Sequence, residues 1–316
     1  MASPNFPQNL DIQPSVPLGD APESKKFDFS HQQASIRAFG IAGKVWKAAH
    51  ALNVYIRPPS GHVFDPPFLS QPSSCKQVRM IELGSGSGIV GATMAAVLHP
   101  SRDIMVVTDL PEVCPLLEDN LKEHLHVPGN TDSGPILVRP LSWGNSQHAL
   151  RIAEELSALT LTQDAPYLTH IICSDLVYFP ELLAPLLRSL IQLSSPPFVP
   201  PNKEIEVIVS YKTRSLPKET PFWSAFGLWF EFTPVLAQKS PGPGGNAPWQ
   251  RFGASLEDPT FVFVAHRRKE SLNWTVPPSD EDLMHGVGVA GTLAPKGDDT
   301  FETLLLMSID GSDEAT

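Results

Sequence analysis

The feature that most constrains the fold is the glycine-rich segment at residues 82–88, Glu-Leu-Gly-Ser-Gly-Ser-Gly, which overlaps the end of a short apolar run at residues 78–83. Glycines let the backbone turn sharply after a strand and approach a ligand closely, because no side chain stands in the way. The small and apolar residues at 89–98 predict a helix whose N-terminal N–H groups would face the turn. The segment therefore predicts a strand, a turn and a helix that either bind a ligand or form a plain tight connection.

Strands and helices alternate along the first two thirds of the chain. Apolar runs predict strands at 78–83, 104–108, 136–141, 168–174 and 205–211, and helical patterns predict helices at 89–98, at 181–193 and from Pro111 onward. An earlier amphipathic helix is marked by Val45, Ala49, Leu52 and Ile56, with Trp46 beside it. The alternation predicts parallel βαβ units and therefore an α/β fold with a mostly parallel, doubly wound sheet.

The chain divides into three predicted regions. Residues 1–30 are rich in Pro, Ser, Asn and Gln and predict a disordered tail. Residues 31–270 form the folded domain with an N-terminal helical extension, and residues 271–316 form a C-terminal extension, partly loop. Beyond residue 211 we predict a helix at 222–230 and strands at 231–236 and 261–265 that complete the sheet. A further strand at 301–307 would add to its edge.

Charge and composition exclude several classes of function. The net charge of −11 argues against a nucleic-acid-binding protein, which needs a concentrated basic face. The three cysteines show no C-x-x-C spacing, so no structural metal is expected. No apolar run reaches the roughly 18 residues that span a bilayer, and the N-terminal residues lack the charged-then-apolar pattern expected of a secretory leader. We therefore expect a cytoplasmic protein without a membrane or nucleic-acid partner.

Two nucleoside cofactors compete for the glycine segment. Glycines from Gly86 onward fit the dinucleotide motif G-x-G-x-x-G, and Asp109 follows at about the expected distance of ~20 residues. However, that motif places its first glycine at the strand end, which here is Gly84, and its third would then fall on Ile89. The G-x-G-x-G spacing from Gly84 favours S-adenosylmethionine. Glu82 would face the amino end of its methionine part, and Asp109 would accept hydrogen bonds from both ribose hydroxyls.

A second polar motif follows the predicted strand at 168–174. Asp175 and Tyr178 lie where open α/β sheets place their chemistry, outside the carboxyl ends of the strands. Because they are three residues apart, both can face one pocket. A carboxylate there can hold and orient an amine, and an aromatic ring favours a cationic sulfonium or ammonium. The alternative is that Asp175 caps a helix and Tyr178 lies in the core.

In these features the chain resembles the seven-strand protein-lysine methyltransferases with an Asp-x-x-Tyr motif, a methyltransferase-like group that modifies chaperones and translation elongation factors. The matching segments are residues 43–49, 82–88, 141–144, 174–178 and 210–214, together with Asp109. Trp143-Gly144 combined with the Asp-x-x-Tyr motif is the specific part. Among the members of this group, the chain is similar to fungal proteins that act on elongation factor 1-alpha.

The resemblance implies a Rossmann-like class I methyltransferase fold, S-adenosylmethionine as cofactor and a monomer that docks one protein client, such as elongation factor 1-alpha or a chaperone. Asp175 and Tyr178 would bind and orient the acceptor lysine, with Asp175 chiefly anchoring the amine while the proton leaves to water. The cofactor pocket would be lined by Trp46, Gly84, Ser85, Gly86, Asp109, Trp143 and Ser174, with Glu82 and Gly88 added from the glycine segment.

Four alternatives stay open at this point. A small-molecule amine methyltransferase would share the whole cofactor half of the site. A nucleobase methyltransferase is disfavoured because residues 175–178 are Asp-Leu-Val-Tyr, without the Pro-Pro pair typical of that class. A partner-binding protein that keeps the fold without catalysis, and a nicotinamide-dependent dehydrogenase, complete the set.

Overall fold

A computed structural model describes residues 12–15, 25–69, 77–127, 130, 133–159, 167–239, 247–254 and 260–310, the last four by their backbone only. Most of the predicted disordered tail, residues 1–11 and 16–24, lies outside the described residues. Cys75 does so too. Within the described part, residues 25–27 form a 3-10 helix that buries Phe27, and a helix begins at Phe29. Helical structure is therefore present before residue 31, where we placed the start of the domain.

The described residues form helices and strands in alternation, as predicted. The helices are α1 (Phe29–Phe39), α2 (Lys47–Ile56), α3 (Ile89–Ala95), α4 (Cys114–Asn120), α5 (Ser146–Ala158), α6 (Pro180–Leu193), α7 (Leu216–Trp229), α8 (Asp280–Met284) and α9 (Thr300–Asp310). The strands are β1 (His62–Asp65), β2 (Arg79–Leu83), β3 (Ile104–Asp109), β4 (Ile136–Pro140), β5 (His170–Ser174), β6 (Glu206–Lys212), β7 (Phe230–Pro234), β8 (Leu236–Lys239), β9 (Gln250–Arg251) and β10 (Thr260–Arg267).

Seven strands form one sheet in the order β4-β3-β2-β5-β6-β10-β7. The first five are parallel, and β10 runs antiparallel to both β6 and β7. The chain winds outward from β2 in one direction and from β5 in the other, so the order reverses between these two neighbours. A crevice opens at the carboxyl ends of the strands at such a reversal. The predicted Rossmann-like seven-strand fold is confirmed.

Helices cover both faces of this sheet, which explains why its central strands are apolar on both sides. All five residues of β2 are buried. Ile81 packs into a core formed with α5, α6 and α7, whereas Met80 packs into a second core formed with α2, α3 and α4. The two cores fix β2 and β5 tightly, and so they fix the positions of the loops that leave their carboxyl ends.

Three short strands form a second sheet in the order β1-β8-β9, with β8 paired antiparallel to both of its neighbours. Among the described residues, no helix is both long and apolar enough to cross a membrane.

The C-terminal extension differs from the prediction. Residues 301–307 were expected as an edge strand, but they lie in helix α9. The segment contains three Leu and one Met, which are not branched at Cβ and which helices favour, and its length alone does not separate a buried strand from a buried helix. The prediction of an edge strand is therefore wrong.

Three helix starts were also misplaced. The helix predicted at 222–230 begins six residues earlier, at Leu216. The helix predicted to open at Pro111 begins at Cys114, because a turn precedes it in which Val113 N donates to the Leu110 carbonyl. Trp46 stands immediately before α2 rather than on its face. Helix α5 was not predicted.

Candidate active site

The carboxyl ends of β2, β3 and β5 surround a cavity of about 750 Å³. All but one of the predicted site residues line this cavity: Trp46, Glu82, Gly84, Ser85, Gly86, Asp109, Trp143, Ser174, Asp175 and Tyr178. They come from five separate stretches of sequence, and the sheet topology brings them together. Gly88 is the exception. It lies at the N-terminus of α3, and a Cβ there would meet Leu117 at 3.0 Å, so Gly88 shapes the turn and does not line the cavity.

The glycine segment turns as its sequence predicts. Gly84 and Gly86 have φ values of +56° and +54°, a conformation that favours glycine. A Cβ on Gly84 would approach Leu176 Cδ2 to 2.8 Å and Trp143 Cζ2 to 3.1 Å. The turn thus leaves backbone, without side chains, on this side of the cavity.

Asp109 ties the ends of β2 and β3 together. Its Oδ2 accepts a hydrogen bond from Gly86 N at 2.8 Å, and its Oδ1 accepts one from Leu110 N at 2.8 Å. Burial raises the pKa of Asp109 to about 6, and the two backbone donors oppose that rise. Beside it, Ser85 Oγ accepts a hydrogen bond from Thr108 N at 3.1 Å. The carboxylate is thereby aimed at the cavity with a fixed orientation.

Glu82 is a buried carboxyl group that lines the same cavity. Only 1% of the residue is exposed, and among the described residues its Oε2 has no hydrogen-bond partner. Burial raises the pKa of Glu82 to about 8, with a smaller opposing contribution from Ser85. A buried carboxyl oxygen without a partner costs free energy unless a donor reaches it. The site therefore offers an acceptor that fits the amino group of a ligand.

Two tryptophans stand at the cavity. Trp46 donates from Nε1 to the Ile41 carbonyl at 3.2 Å, and its ring carries two cations, Lys44 Nζ at 4.7 Å and Arg214 Cζ at 5.3 Å from the ring centroid. Trp143 is half-buried and packs against the core on the α5–α7 side of the sheet. Both rings give the cavity flat apolar walls.

Asp175 has a partner that the sequence did not reveal. Both of its carboxylate oxygens accept hydrogen bonds from Arg214, at 2.8 Å from Nη1 and 2.6 Å from Nη2, and its side chain is 0% exposed. Its backbone has a φ of +62°, which few residues other than glycine adopt, and its N–H donates to the Ser210 carbonyl. Ser174 beside it accepts a hydrogen bond from Ser210 Oγ at 3.2 Å.

Arg214 ends the segment 210–214, one of the segments on which the family resemblance rests, and no role was predicted for it. The sequence did contain a signal for this contact. The strands that end near residues 174 and 210 are successive parallel strands, so the residues that follow them emerge at one edge of the sheet. The observed pairing of Ser174 with Ser210 brings Arg214 to Asp175 in this way.

Tyr178 lines the cavity next to this ion pair. Burial raises the pKa of Tyr178 to about 12, with the charge of Asp109 as the next cause. Its hydroxyl therefore stays protonated at neutral pH and can both donate and accept a hydrogen bond. In the part of the chain that the structure describes, no three His, Cys, Asp or Glu side chains come close enough to hold a metal ion.

Comparison with known proteins agrees with this geometry. A family model described as lysine methyltransferase matches residues 27–226, more than half of the chain. The EEF1A lysine methyltransferase 3 of Mus musculus is 34% identical over 131 residues, which cover 40% of this chain and 47% of that protein. The match thus spans about half of the length of this relative.

Likenesses to solved structures are more remote. Fibrillarin of Aeropyrum pernix with natively bound S-adenosyl-L-methionine has a TM-score of 0.34 and 14% identity, covering 60% of this chain and 66% of that one. The mitomycin 7-O-methyltransferase MmcR has a TM-score of 0.38 and 10% identity, covering 76% of this chain and 58% of that one.

Proposed function

The chain belongs to the lysine methyltransferase family, and from this premise we propose that it transfers a methyl group from S-adenosylmethionine to a lysine side chain of a protein. The observation that carries the proposal is one cavity whose two ends suit the two reactants. One end has buried acceptors at a glycine turn, and the other has the Asp-x-x-Tyr pair beside an aromatic ring. The nicotinamide alternative lacks the support of this family.

The cofactor end suits S-adenosylmethionine group by group. Glu82 holds an unpaired buried oxygen that would accept from the amino group of the methionine part. Asp109 would accept from the ribose hydroxyls, and the backbone of Gly84 and Gly86 would allow close approach. Trp46, Ser85, Trp143 and Ser174 would complete the pocket. S-adenosylmethionine supplies an activated methyl group on a sulfonium sulfur, so the protein has to position the acceptor and exclude water.

At the acceptor end, Tyr178 and the Asp175–Arg214 pair would orient the lysine nitrogen. An ordinary lysine has a pKa near ~10.4 and is charged at neutral pH, so it must lose a proton before its lone pair can react. The ammonium would first release a proton to water, and bound S-adenosylmethionine would then supply the methyl group, with S-adenosylhomocysteine as the leaving group when the carbon–sulfur bond breaks. Because Arg214 donates to both carboxylate oxygens of Asp175, this carboxylate does not act as a lone anchor for the ammonium, as the resemblance had implied.

We further propose that the acceptor is a cytosolic protein, docked by a monomer of this chain. The named relative acts on EEF1A, which makes EEF1A the first candidate, with chaperones next. A small-molecule amine would suit the same cavity chemistry, and the experiment below separates the two.

The test incubates the purified protein with radiolabelled S-adenosylmethionine and either purified EEF1A or a eukaryotic lysate. Asp175→Asn is the inactive comparison, because Asn tolerates the left-handed backbone of this position. Asp119→Asn, at an exposed helix position, is the matched control. We expect a discrete labelled protein band that the Asp175 variant loses and the Asp119 variant keeps. Label confined to the small-molecule fraction would instead indicate a metabolite amine. No transfer to any fraction would support a partner-binding protein.

A further inference from the structure

The acceptor end already contains a cation. Asp175 forms a bidentate ion pair with Arg214, and none of its side chain is exposed, whereas 30% of the Arg214 side chain is. Such parallel N–H···O bonds are among the strongest charged contacts in proteins. Removing the partner of a buried carboxylate is strongly unfavourable. An incoming lysine would therefore meet the guanidinium before it could meet the carboxylate.

Arg214 is fixed from three directions. Asp175 holds its guanidinium, the Trp46 ring lies 5.3 Å from its Cζ, and its backbone N donates to Glu219 Oε2 at 3.1 Å. Glu219 is itself buried and accepts from the Tyr211 hydroxyl at 2.5 Å. Because these contacts come from separate elements, the positive charge of Arg214 stays at the rim of the cavity.

Lys44 shows how the positive charge of Arg214 affects a neighbouring amine. Lys44 lies 4.7 Å from the centroid of the Trp46 ring that Arg214 also contacts, and it lines the same cavity. Burial, and after it the charge of Arg214, lowers the pKa of Lys44, while the charge of Asp175 acts in the opposite direction. An acceptor lysine that enters beside Trp46 would experience the same surroundings.

We propose that Arg214 stays paired with Asp175 during the reaction and that its charge favours the neutral, reactive form of the acceptor amine. This inference rests on the proposed function and makes Arg214 a positioning residue for charge. Like charges disfavour each other at short range in a partly dry site, so an ammonium beside Arg214 releases its proton to water more readily. Arg214 takes no proton itself, because a guanidinium remains charged throughout the working pH range.

No other ionisable group around this position is substituted in the variants below. These groups come from every element packed against the ion pair: Lys44, Lys47, Asp109, Tyr178, Glu181, Tyr211, Lys212 and Glu219. Differences between the variants therefore report on residues 175 and 214 alone.

The first measurement is the pH dependence of kcat, at saturating EEF1A and S-adenosylmethionine, for methylation of purified EEF1A by the wild type, Arg214→Gln and Arg214→Lys, because kcat reports ionisation in the complex. A glutamine at this position can still donate a hydrogen bond to Asp175 but carries no charge. A lysine keeps the positive charge but cannot form the bidentate contact with the carboxylate. The rising part, or limb, of the pH–rate profile reports deprotonation of the acceptor amine, and we expect it to move to higher pH in Arg214→Gln. At pH 7 its kcat should fall about tenfold for each unit by which the pKa of the bound acceptor rises, since each unit removes about nine-tenths of the neutral amine. The Lys variant should keep the limb of the wild type.

Two outcomes would overturn the proposal. One is an unmoved limb in Arg214→Gln. The other is a lower KM for EEF1A with unchanged kcat, which would show that Arg214 competes with the acceptor for Asp175. Binding of S-adenosylhomocysteine by calorimetry and thermal unfolding, measured for each variant, separate these effects from loss of the cofactor site or of the fold.

The second measurement needs no acceptor protein. Competitive acetylation with acetic anhydride, read by mass spectrometry over a pH series, gives the pKa of Lys44. We expect this pKa to rise in Arg214→Gln, because a like charge is lost and the charge of Asp175 is unmasked. It should rise less in the double variant with Asp175→Asn. An unchanged Lys44 would overturn the inference even if EEF1A proves not to be the substrate, whereas failure of the wild type to label EEF1A falls on the proposed function alone.

Discussion

The buried carboxyl group of Glu82 gives a quantitative prediction for the protein without its cofactor. The pKa of Glu82 is raised to about 8 from an ordinary 4.5, so the folded state holds a proton that the unfolded state releases. Stability from this group is complete below about pH 4.5 and is lost as the pH rises through 8. At about 1.4 kcal/mol per unit, the whole loss is about 5 kcal/mol, of which about 2 kcal/mol falls between pH 6.5 and 8.5.

Between pH 6.5 and 8.5, two other buried groups contribute little to the change in the unfolding free energy. Burial raises the pKa of Asp109 only to about 6, so its loss of stability is nearly complete at pH 6.5. Burial lowers the pKa of His170 to about 4, and its contribution changes only below its ordinary value of 6.5. Any slope above pH 6.5 should therefore come mainly from Glu82.

The assay is equilibrium urea unfolding of wild type, Glu82→Gln and the exposed control Glu204→Gln, from pH 6.5 to about 8.5. The amide of Gln does not titrate, so the unfolding free energy of Glu82→Gln should be almost flat, while wild type and control lose about 2 kcal/mol. Saturating S-adenosylmethionine should also remove most of the pH dependence of the unfolding free energy of the wild type, because its amino group would donate to Glu82. A wild type as flat as the Gln variant would refute the reasoning.

Three further predictions follow from the site and the core. Gly84→Ala should weaken binding of S-adenosylhomocysteine in calorimetry, because a Cβ there lies 2.8 Å from Leu176 and φ is +56°; wild-type affinity would contradict the turn geometry. Asp109→Asn should lower the same affinity about tenfold to a hundredfold, as expected for hydrogen bonds to a charged group; an unchanged affinity would remove the ribose assignment. Phe301→Ala should cost about 3–5 kcal/mol in urea unfolding, because the ring is fully buried and stacks on Trp223 at 4.9 Å; a loss below 1 kcal/mol would mean that α9 does not belong to the core.

The parallel part of the fold could be predicted from local pattern alone. β2, β3, β4, β5 and β6 are buried on both faces, so each reads as a short apolar run bounded by polar or turn residues. Helices with one buried stripe were less visible. Helix α5 buries only four residues among charged and polar ones, and it went unnoticed. Residues 301–307 of helix α9 are as apolar as a buried strand, so the pattern alone does not separate a helix from a strand there.

The site was predictable where motif and topology act together. Glu82 and Asp109 each follow from a strand end, and the sheet then brings them to one cavity. The contact of Arg214 with Asp175 was not predicted, because it depends on how far a loop after β6 folds back over its neighbour.

The end of the chain has a consequence for how the acceptor end keeps its shape. The family match stops at residue 226, inside helix α7, yet Phe301 packs 5.9 Å from the Tyr211 ring. Tyr211 in turn bonds Glu219, which holds the backbone of Arg214. One of the three contacts that fix Arg214 therefore depends on a helix about ninety residues downstream. Heat or a protease that first detaches this last helix should lower methyl transfer before the sheet unfolds.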